Sequence, residues 1–306
     1  MNTRRLYLTS RDSVPRVIFN DKVKIDLGKA NLNVESNQQM GLSIVRATLP
    51  STLETVPRTT AVSLYGNNKD VSLLCFNISG TTYKLYFNDW SQINSPGIIN
   101  HMTWTVQTTI DNLVLKINTL SGLNDLIKVG TQDVGNRLVY GTANTTPIVF
   151  NHSQSSSNIL KALGLNIESD TTLSPTITEA PYNVNLAGLL PVVYVRTNIG
   201  VGGYMSMKGG MTMNILGSIP IEISNLNAGN NIESFSEDST SQRFQPTSVI
   251  NYVNHANEGS HKIITNQHIN SIELELLNSD GVLVGTGLND YAITLEVKTY
   301  NQNQVS

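Results

Sequence analysis

Apolar and polar residues alternate one by one near both ends of the chain. In residues 22–27 (KVKIDL), the apolar side chains Val23, Ile25 and Leu27 fall on one face and the charged side chains on the other. Residues 291–300 (YAITLEVKTY) repeat the pattern. Because successive side chains of a strand point to opposite faces, a period of two predicts strands with one buried face. The same signal marks residues 42–50, 60–65, 71–76, 189–196, 211–223 and 272–276.

Turn-forming residues separate these segments. Gly66-Asn67-Asn68 and the run Asn278-Ser279-Asp280-Gly281 favour turns, and we expect the second turn to make a hairpin with the last strand. Gly217 and Pro220 favour a bulge or bend, and Pro50 is expected to end the strand before it. Many short strands joined by such turns are typical of an all-β sandwich or barrel.

The middle of the chain has a different period. Apolar residues from Val106 to Leu120 recur at helical spacing, with Thr103 or Thr105 as the candidate N-cap and Gly122 as the candidate end. A second, shorter helix is predicted at residues 157–163, and strands are predicted at 83–87, 135–140 and 148–150. These elements predict a mixed α/β insertion over residues 77–185.

Charge is scarce and unevenly placed. Asp, Glu, Lys and Arg make up 14% of the 306 residues, against ~25% in typical soluble domains. The net charge of −3 argues against bulk binding of nucleic acid. The local basic bias lies at the start, in Arg4, Arg5, Arg11 and Arg16. This segment is either a solvated, frayed terminus or an arm whose arginines contact a neighbouring subunit or nucleic acid inside a particle.

Cysteine content and hydropathy bear on where the chain is made. The single cysteine, Cys75, lies in an apolar segment, so we expect a buried structural thiol rather than a nucleophile. The first residues lack the apolar run of a secretory signal, and no stretch approaches the ~20 apolar residues of a membrane-spanning helix. We therefore expect synthesis and assembly inside a cell, in a reducing compartment.

The sequence carries no recognisable catalytic motif. The G-x-S-x-G turn of hydrolases and the phosphate-binding P-loop are both absent. His255, His261 and His268 lie six and seven residues apart, which is not the spacing of a metal site. Glu273 and Glu275 share one face of one strand, which favours a solvated or interface face over an acid–base pair. We therefore expect no enzymatic activity, no cofactor, no metal and no small-molecule substrate.

Four segments in the second half of the chain, taken in order, resemble a known family. They are SSNILKALGL (156–165), YNVNLAGLLPVVYVRTNI (182–199), MTMNILGSIPI (211–221) and HINSIELELLNSDGVLVGTGLNDYAITLEV (268–297). Together they resemble the single-jelly-roll minor capsid proteins, or pentons, of virophages and polinton-like viruses, most closely those of the mavirus type. The shared features are the helix end Leu163-Gly164, the strand that runs into a polar turn at 192–198, the segment 216–221, and Asp280-Gly281 before the last strand. The resemblance lies chiefly after residue 157 and does not extend to residues 90–150.

This resemblance implies a fold and a function. The fold is all-β, a single jelly-roll β-sandwich of residues 1–76 and 186–306 with a mixed α/β insertion at 77–185. The function is that of a structural capsid protein, which forms a homopentamer at the vertex of an icosahedral particle and contacts the major capsid protein of the same virus. The chain would be found in the virion after assembly inside the infected host cell. It would have no membrane span and would contact nucleic acid at most through its N-terminal arm.

Two other interpretations stay open. A receptor- or glycan-binding β-sandwich domain of a viral fibre or spike would have the same composition, and glycan binding by a stable, non-pentameric form would favour it. A β-sandwich enzyme would require several carboxylates or histidines to converge in one deep pocket.

Overall fold

In a computed structural model, the chain forms two units, each of which has most of its contacts within itself. Unit 1 comprises Met1–Leu53, Val192–Ile221 and Gln245–Ser306, and unit 2 comprises Glu54–Pro191 and Glu222–Phe244. The structure describes residues 2–13, 22–35, 37–56, 73–87, 100–106, 108–130, 136–186, 189–200, 205–206, 212–221, 249–254, 261–264, 268–286 and 289–301.

Most of the regular structure in these residues is β-strand. In chain order the strands are β1 (Asn2–Thr9), β2 (Lys22–Asp26), β3 (Leu32–Asn33), β4 (Gln38–Pro50), β5 (Leu73–Ile78), β6 (Thr81–Phe87), β7 (Asn100–Met102), β8 (Ile127–Val129), β9 (Leu138–Tyr140), β10 (Ile148–Phe150), β11 (Thr171–Leu173), β12 (Val192–Thr197), β13 (Met205–Ser206), β14 (Thr212–Met213), β15 (Ile215–Pro220), β16 (Val249–Val253), β17 (Lys262–Ile264), β18 (His268–Ile269), β19 (Ser271–Leu277) and β20 (Ala292–Asn301). The α-helices are α1 (Ile110–Ser121) and α2 (Ser157–Ala162).

Unit 1 contains two antiparallel sheets. Sheet I has the spatial order β1, β20, β4, β16, with β17 also paired to β4. Sheet II has the order β15, β12, β19, β2. The shorter strands form two further ladders, β3 with β18 and β13 with β14. The two main sheets have the strand order of a jelly roll, an eight-stranded double-sheet fold built from two Greek keys. The predicted fold class is therefore confirmed.

The alternating residues place one face of each sheet in a shared core. Val23 and Ile25 of β2 are buried, as are Leu42 of β4 and Leu295 of β20, while the lysines beside Val23 are exposed. This is the arrangement expected when a strand has one face on the core and one in solvent. The period-two segments at both ends of the sequence thus belong to one sandwich.

A glycine allows the two sheets to approach closely at one edge. A Cβ atom on Gly217 of β15 would lie 2.9 Å from Cδ1 of Ile44 in β4. The pairing of β12 with β15 shifts between Val195, which faces Gly217, and Arg196, which faces Ile215. Such a shift is a β-bulge, so the irregularity predicted around Gly217 is confirmed.

The predicted hairpin turn at Asn278–Gly281 is confirmed, because Leu277 forms an antiparallel bridge with Leu283 across it, but the predicted pairing with the last strand is wrong. The turn itself forms: the backbone N–H of Asn278 donates to the carbonyl of Val282 at 2.9 Å, and Gly281 has a φ of 77°. However, β19 pairs with β12 and β2, whereas β20 pairs with β1 and β4. Residues 278–291 are far longer than the 2–5 residues of a usual hairpin loop, and they carry the chain from sheet II to sheet I.

Unit 2 is built on a mixed five-stranded sheet. Its order is β11, β10, β5, β6, β7, with β6 and β7 parallel and the other pairs antiparallel. Strands β8 and β9 form a separate pair. Phe76, Phe87, Phe150 and Trp104 are buried in this unit, and the rings of Phe87 and Trp104 lie 4.9 Å apart. Cys75 is also buried, as its apolar neighbours predicted.

Helix α1 begins one turn later than predicted. Its N-cap is Thr109, whose hydroxyl accepts from the backbone N–H of Asn112 at 3.3 Å, while Asn112 Oδ1 accepts from the N–H of Thr109 at 3.0 Å. This reciprocal pair satisfies two donors at the helix start. Thr105 cannot serve as the cap because it forms a β-bridge with Glu54. Gly122, with a φ of 67°, ends the helix as predicted.

The exact bounds of the two predicted domains stay a prediction. Residues 57–72, which include the predicted strand at 60–65 and the predicted turn at 66–68, lie outside the described residues. Strand β5, which crosses the predicted boundary at residue 76, pairs with β6 and β10 in the sheet of unit 2. The contact-based division places the end of the first jelly-roll segment at Leu53 and the return of the chain at Val192.

Candidate functional site

The N-terminal arginines belong to a sheet strand rather than to a loose arm. Strand β1 pairs with β20 along its whole length, from Asn2 opposite Thr299 to Thr9 opposite Ala292. The frayed-terminus interpretation is therefore wrong for residues 2–9. Because neighbouring residues of a strand point to opposite faces, Arg4 and Arg5 do not form one patch.

Each described arginine of this segment has different surroundings. Arg4 lines a cavity of about 300 Å³ together with Glu35 and Gln38. Arg5 Nε lies 3.9 Å from Glu296 Oε2. Arg11 Nε donates to Asp290 Oδ2 at 3.2 Å, and Arg16 lies outside the described residues. Their assignment to subunit or interior contacts stays a prediction.

The outer face of sheet I, defined here as the face opposite its core side, carries exposed apolar side chains. The register aligns Tyr7, Thr294, Arg46 and Val253 in one row across the four strands. Tyr7, at the β1 edge, is 75% exposed, and Val253, at the β16 edge, is 47% exposed. Val249 is a second exposed apolar residue on the same face of β16. Exposed apolar side chains thus lie at both edges of this face.

A buried polar group also lies on this outer face. His261 Nε2 lies 3.1 Å from Glu296 Oε1 and 3.2 Å from Ser43 Oγ. Lys298 Nζ lies 3.4 Å from the same oxygen of Glu296. Burial lowers the pKa of His261, the Lys298 charge lowers it further, and Glu296 opposes both effects.

This serine, histidine and glutamate do not have the geometry of a catalytic triad. A triad histidine uses one ring nitrogen to take the serine proton and the other to bond the carboxylate. Here Ser43 and Glu296 both contact Nε2. The carboxylate therefore cannot orient the ring for proton transfer from Ser43, and the arrangement serves packing of polar groups rather than activation of a nucleophile.

The outer face of sheet II carries a ladder of ion pairs. Lys22, Glu275 and Arg196 stand side by side on β2, β19 and β12. Glu275 Oε1 lies 3.0 Å from Lys22 Nζ, and the other carboxylate oxygen of Glu275 forms an ion pair with the Arg196 guanidinium. The hydrogen bond and the charge of Glu275 raise the pKa of Lys22. This ladder could not be found from alternation, since its members come from three distant segments.

The two glutamates of β19 differ although they share a face. The side chain of Glu275 is 7% exposed, and that of Glu273 is 32% exposed. Glu273 lies 3.9 Å from Lys24 Nζ, which is an ion-pair distance but too long for a hydrogen bond. Of the two expected alternatives, a solvated or an interface face, the solvated one is wrong for Glu275, whose two cationic neighbours compensate the cost of burying its charge.

A cavity of about 300 Å³ lies beside this ladder. Its polar lining includes Lys22, Arg196, Asn198, Asn214, Glu273 and Glu275. The elements fix these side chains in place: Asn198 Oδ1 accepts from the backbone N–H of Glu273 at 2.9 Å, and the carbonyl of Asn214 accepts from the N–H of Thr197 at 3.1 Å. The cavity is therefore lined by hydrogen-bond donors and acceptors, among them positively and negatively charged side chains, that project from strands and strand ends.

The remaining titratable residues form small, separate contacts. His152 Nδ1 lies 2.7 Å from Asp170 Oδ1, and this contact lowers the pKa of Asp170. His268 Nδ1 lies 2.9 Å from Asn33 Oδ1, and His255 lies outside the described residues. Within the described part of the chain, no three His, Cys, Asp or Glu side chains come together as a set able to hold a metal ion. Among the helices of the same residues, none is both long and apolar enough to cross a membrane.

Among known proteins, the chain matches solved structures alone. No protein-family model and no curated protein matches the chain. Among solved structures, the chain is similar to the mavirus penton protein, known from selenomethionine-labelled crystals. The two are 12% identical, the match covers 98% of this chain and 100% of that one, and the TM-score is 0.48. That penton is of the class that the sequence resembles.

Proposed function

We propose that the chain is a structural capsid protein that forms the pentameric vertex of an icosahedral virus particle. The observation that carries the proposal is a jelly-roll unit whose sheet I, within the described residues, has β1 and β16 as its edge strands, with exposed apolar side chains on the same face of each. The jelly roll is a fold that viral capsid subunits use. Because a fold does not determine a function, the surfaces of unit 1 have to supply the rest of the argument.

Ring closure by one kind of subunit needs two different, complementary flanks. In a cyclic assembly, a patch on one side of each subunit meets another patch on the opposite side of its neighbour. Strand β1, with Tyr7, and strand β16, with Val249 and Val253, lie at opposite edges of sheet I. Contact between such flanks would remove apolar surface from water and cover open strand edges that otherwise favour aggregation.

The low charge of the chain supports the same assignment. Charged residues are depleted in the cores of protein interfaces, and this chain has 14% of them. In this proposal the neighbours beyond the pentamer are copies of the major capsid protein, and the location is the capsid vertex of the virion. Nucleic-acid contact is limited to the N-terminal arginines. No enzymatic role is proposed.

The mass of the purified full-length chain tests this function. We expect native mass spectrometry and sedimentation velocity to give a species of five times the 33.4 kDa chain mass. Tyr7→Asp should convert this species to monomer, because it places a charge in the proposed interface. Tyr182→Asp is the matched control, since Tyr182 is 60% exposed and belongs to unit 2. Circular dichroism spectra would verify that both variants fold.

Two results would contradict the proposal. One is a wild-type chain that stays monomeric at all accessible concentrations, also when co-expressed with the major capsid protein of the same virus. The other is a pentamer that the Tyr7 and Tyr182 variants weaken equally, which would remove the outer face of sheet I from the interface.

A further inference from the structure

A histidine directly precedes the short strand β17 of sheet I. The pairing of Lys262 with Leu42 places this histidine, His261, opposite Ser43 of β4. Strands β17 and β20 both pair with residues 40–42 of β4, so they lie on opposite sides of it, and β17 shares its side with β16. His261 therefore leads into a strand of three residues that, among the described residues, is paired with β4 alone.

The buried ring of His261 shares one carboxylate with two cations. Its side chain is 6% exposed, and Ser43 Oγ lies 3.2 Å from Nε2. Glu296 Oε1 lies 3.1 Å from the same nitrogen and 3.4 Å from Lys298 Nζ, while Glu296 Oε2 lies 3.9 Å from Arg5 Nε. Within the described part of the chain, Glu296 is the one carboxylate at ion-pair distance from His261.

The remaining described neighbours of the ring supply no further negative charge. Tyr300 of β20 lies beside His261 above Gly41, since a Cβ atom on that glycine would be 3.1 Å from Tyr300 Cε2 and 3.2 Å from His261 Cβ. Lys262, the next residue along β17, donates through Nζ to the carbonyl of Ile215 at 2.7 Å. A proton taken up by His261 would therefore be a third positive charge on a single carboxylate.

Protonation of His261 would upset this charge balance. Lys298 and Glu296 already compensate each other, and their side chains are 11% and 15% exposed. A further cation is unfavourable in such a site, because burial and a like charge both oppose ionisation. The pKa of His261 is accordingly lowered by burial and by the Lys298 charge, against the opposing effect of Glu296. The charged ring is better accommodated in water, which it reaches only if the backbone at His261 moves away from β4.

We propose that acidification releases β17 from β4, with His261 as the group that takes up the proton. A strand of three residues has few ladder hydrogen bonds to lose, so it can open without unfolding of the whole unit. Histidine is the side chain whose ordinary pKa, about 6.5, lies in the range where mild acidification acts. This device goes beyond capsid assembly and does not depend on it; in the proposed pentamer, the same release would loosen the flank that β16 forms.

Hydrogen exchange of the full-length chain, followed by mass spectrometry, tests the proposal. Linkage to one proton limits the effect to a factor of ~10 per pH unit, between the pKa values of His261 in the closed and open states. After correction for the intrinsic pH dependence of exchange, we expect the protection of the β17 amides to fall about threefold or more between pH 7 and pH 5. Strand β10 of unit 2 is the internal reference and should keep its protection.

Variants of the three charged partners distinguish proton uptake from general destabilisation. His261→Gln removes the titrating group and should abolish the fall in protection. Lys298→Met removes the competing cation, so the protonated ring can pair with Glu296 and the fall should also disappear. Glu296→Gln removes the counter-ion and should enlarge the fall. His268→Gln is the matched control, because this exposed histidine of β18 contacts Asn33 Oδ1 at 2.9 Å and should leave the fall unchanged. Since the variants act on separate groups, a folding defect in one, seen by thermal unfolding, still leaves the others as tests.

Several outcomes would overturn the inference. These are constant protection of β17 between pH 7 and pH 5, a fall that survives His261→Gln or Lys298→Met, suppression of the fall by His268→Gln, and an equal fall in β10, which would indicate global unfolding. The mass measurements on the same preparations report separately on capsid function. A pentamer whose β17 does not respond to pH would remove this inference alone, and a monomer that releases β17 on acidification would remove the capsid assignment alone.

Discussion

Replacing Glu275 by glutamine tests whether the ladder on sheet II stabilises unit 1. Glutamine keeps the shape of the side chain and removes its charge. Lys22 Nζ, 3.0 Å away, and the Arg196 guanidinium would then face each other without the carboxylate between them. The variant therefore loses two ion pairs, one of them a charge-assisted hydrogen bond from Lys22, and gains a repulsion between two cations.

The size of the effect follows from burial. Removing one partner of a fully buried ion pair costs about 3–5 kcal/mol. The side chains of Lys22 and Arg196 are 54% and 36% exposed, so water screens part of the loss. We expect the free energy of unfolding to fall by ~2 kcal/mol, which corresponds to ~4–8 °C in Tm for a unit of this size.

Urea denaturation and calorimetry of the full-length chain would measure this change. Glu273→Gln is the matched control on the same strand, because Glu273 is more exposed and its partner Lys24 is 3.9 Å away. It should cost no more than ~0.5 kcal/mol, as an exposed pair does. Equal losses in the two variants would refute the reasoning, since the buried ladder would then contribute no more than a surface pair.

Three further predictions concern other parts of the chain. Gly141→Ala should destabilise unit 2 by about 3 kcal/mol or more, seen in urea denaturation, because its Cβ would lie 1.4 Å from the carbonyl oxygen of Asp125. Thr109→Ala should cost ~1 kcal/mol in the same assay through loss of the N-cap, and Thr109→Ser should restore most of it. Since burial lowers the folded-state pKa of His261, the unfolded chain takes up the proton more readily and stability should fall as pH drops below ~6.5. His261→Gln should reduce the loss of stability between pH 7 and pH 5, and an unchanged loss would contradict this assignment.

Local rules predicted the strands and their limits well. Val23, Ile25 and Leu27 are buried as their alternation indicated, and β4 ends at Pro50. Gly122 ends helix α1 in a left-handed conformation. These features depend on the conformational preferences of a few adjacent residues, so the sequence contains the information that is needed to find them.

Pairing between distant strands was harder to predict. The turn at Asn278–Gly281 formed as its residues indicated, yet the strands on either side joined different sheets. The residues of a turn determine the backbone conformation of those four positions. Which sheet the next strand joins depends instead on where its apolar face can be buried. The length of the connection, residues 278–291, was the signal against a hairpin.

The candidate sites lie where alternation fails. On the outer faces of the two sheets, polar residues should be solvated, but Ser43, Glu275 and Lys298 are buried. Burying a charge is unfavourable unless partners compensate for it, and here the partners come from strands that are far apart in the sequence, such as Lys22 and Arg196 for Glu275. Departures from local rules of this kind concentrate at functional or strained positions. Strand register, rather than composition, therefore brings together the residues of the ladder and of the cavity beside it. A change that shifts β19 by one residue relative to β2 and β12 should abolish both.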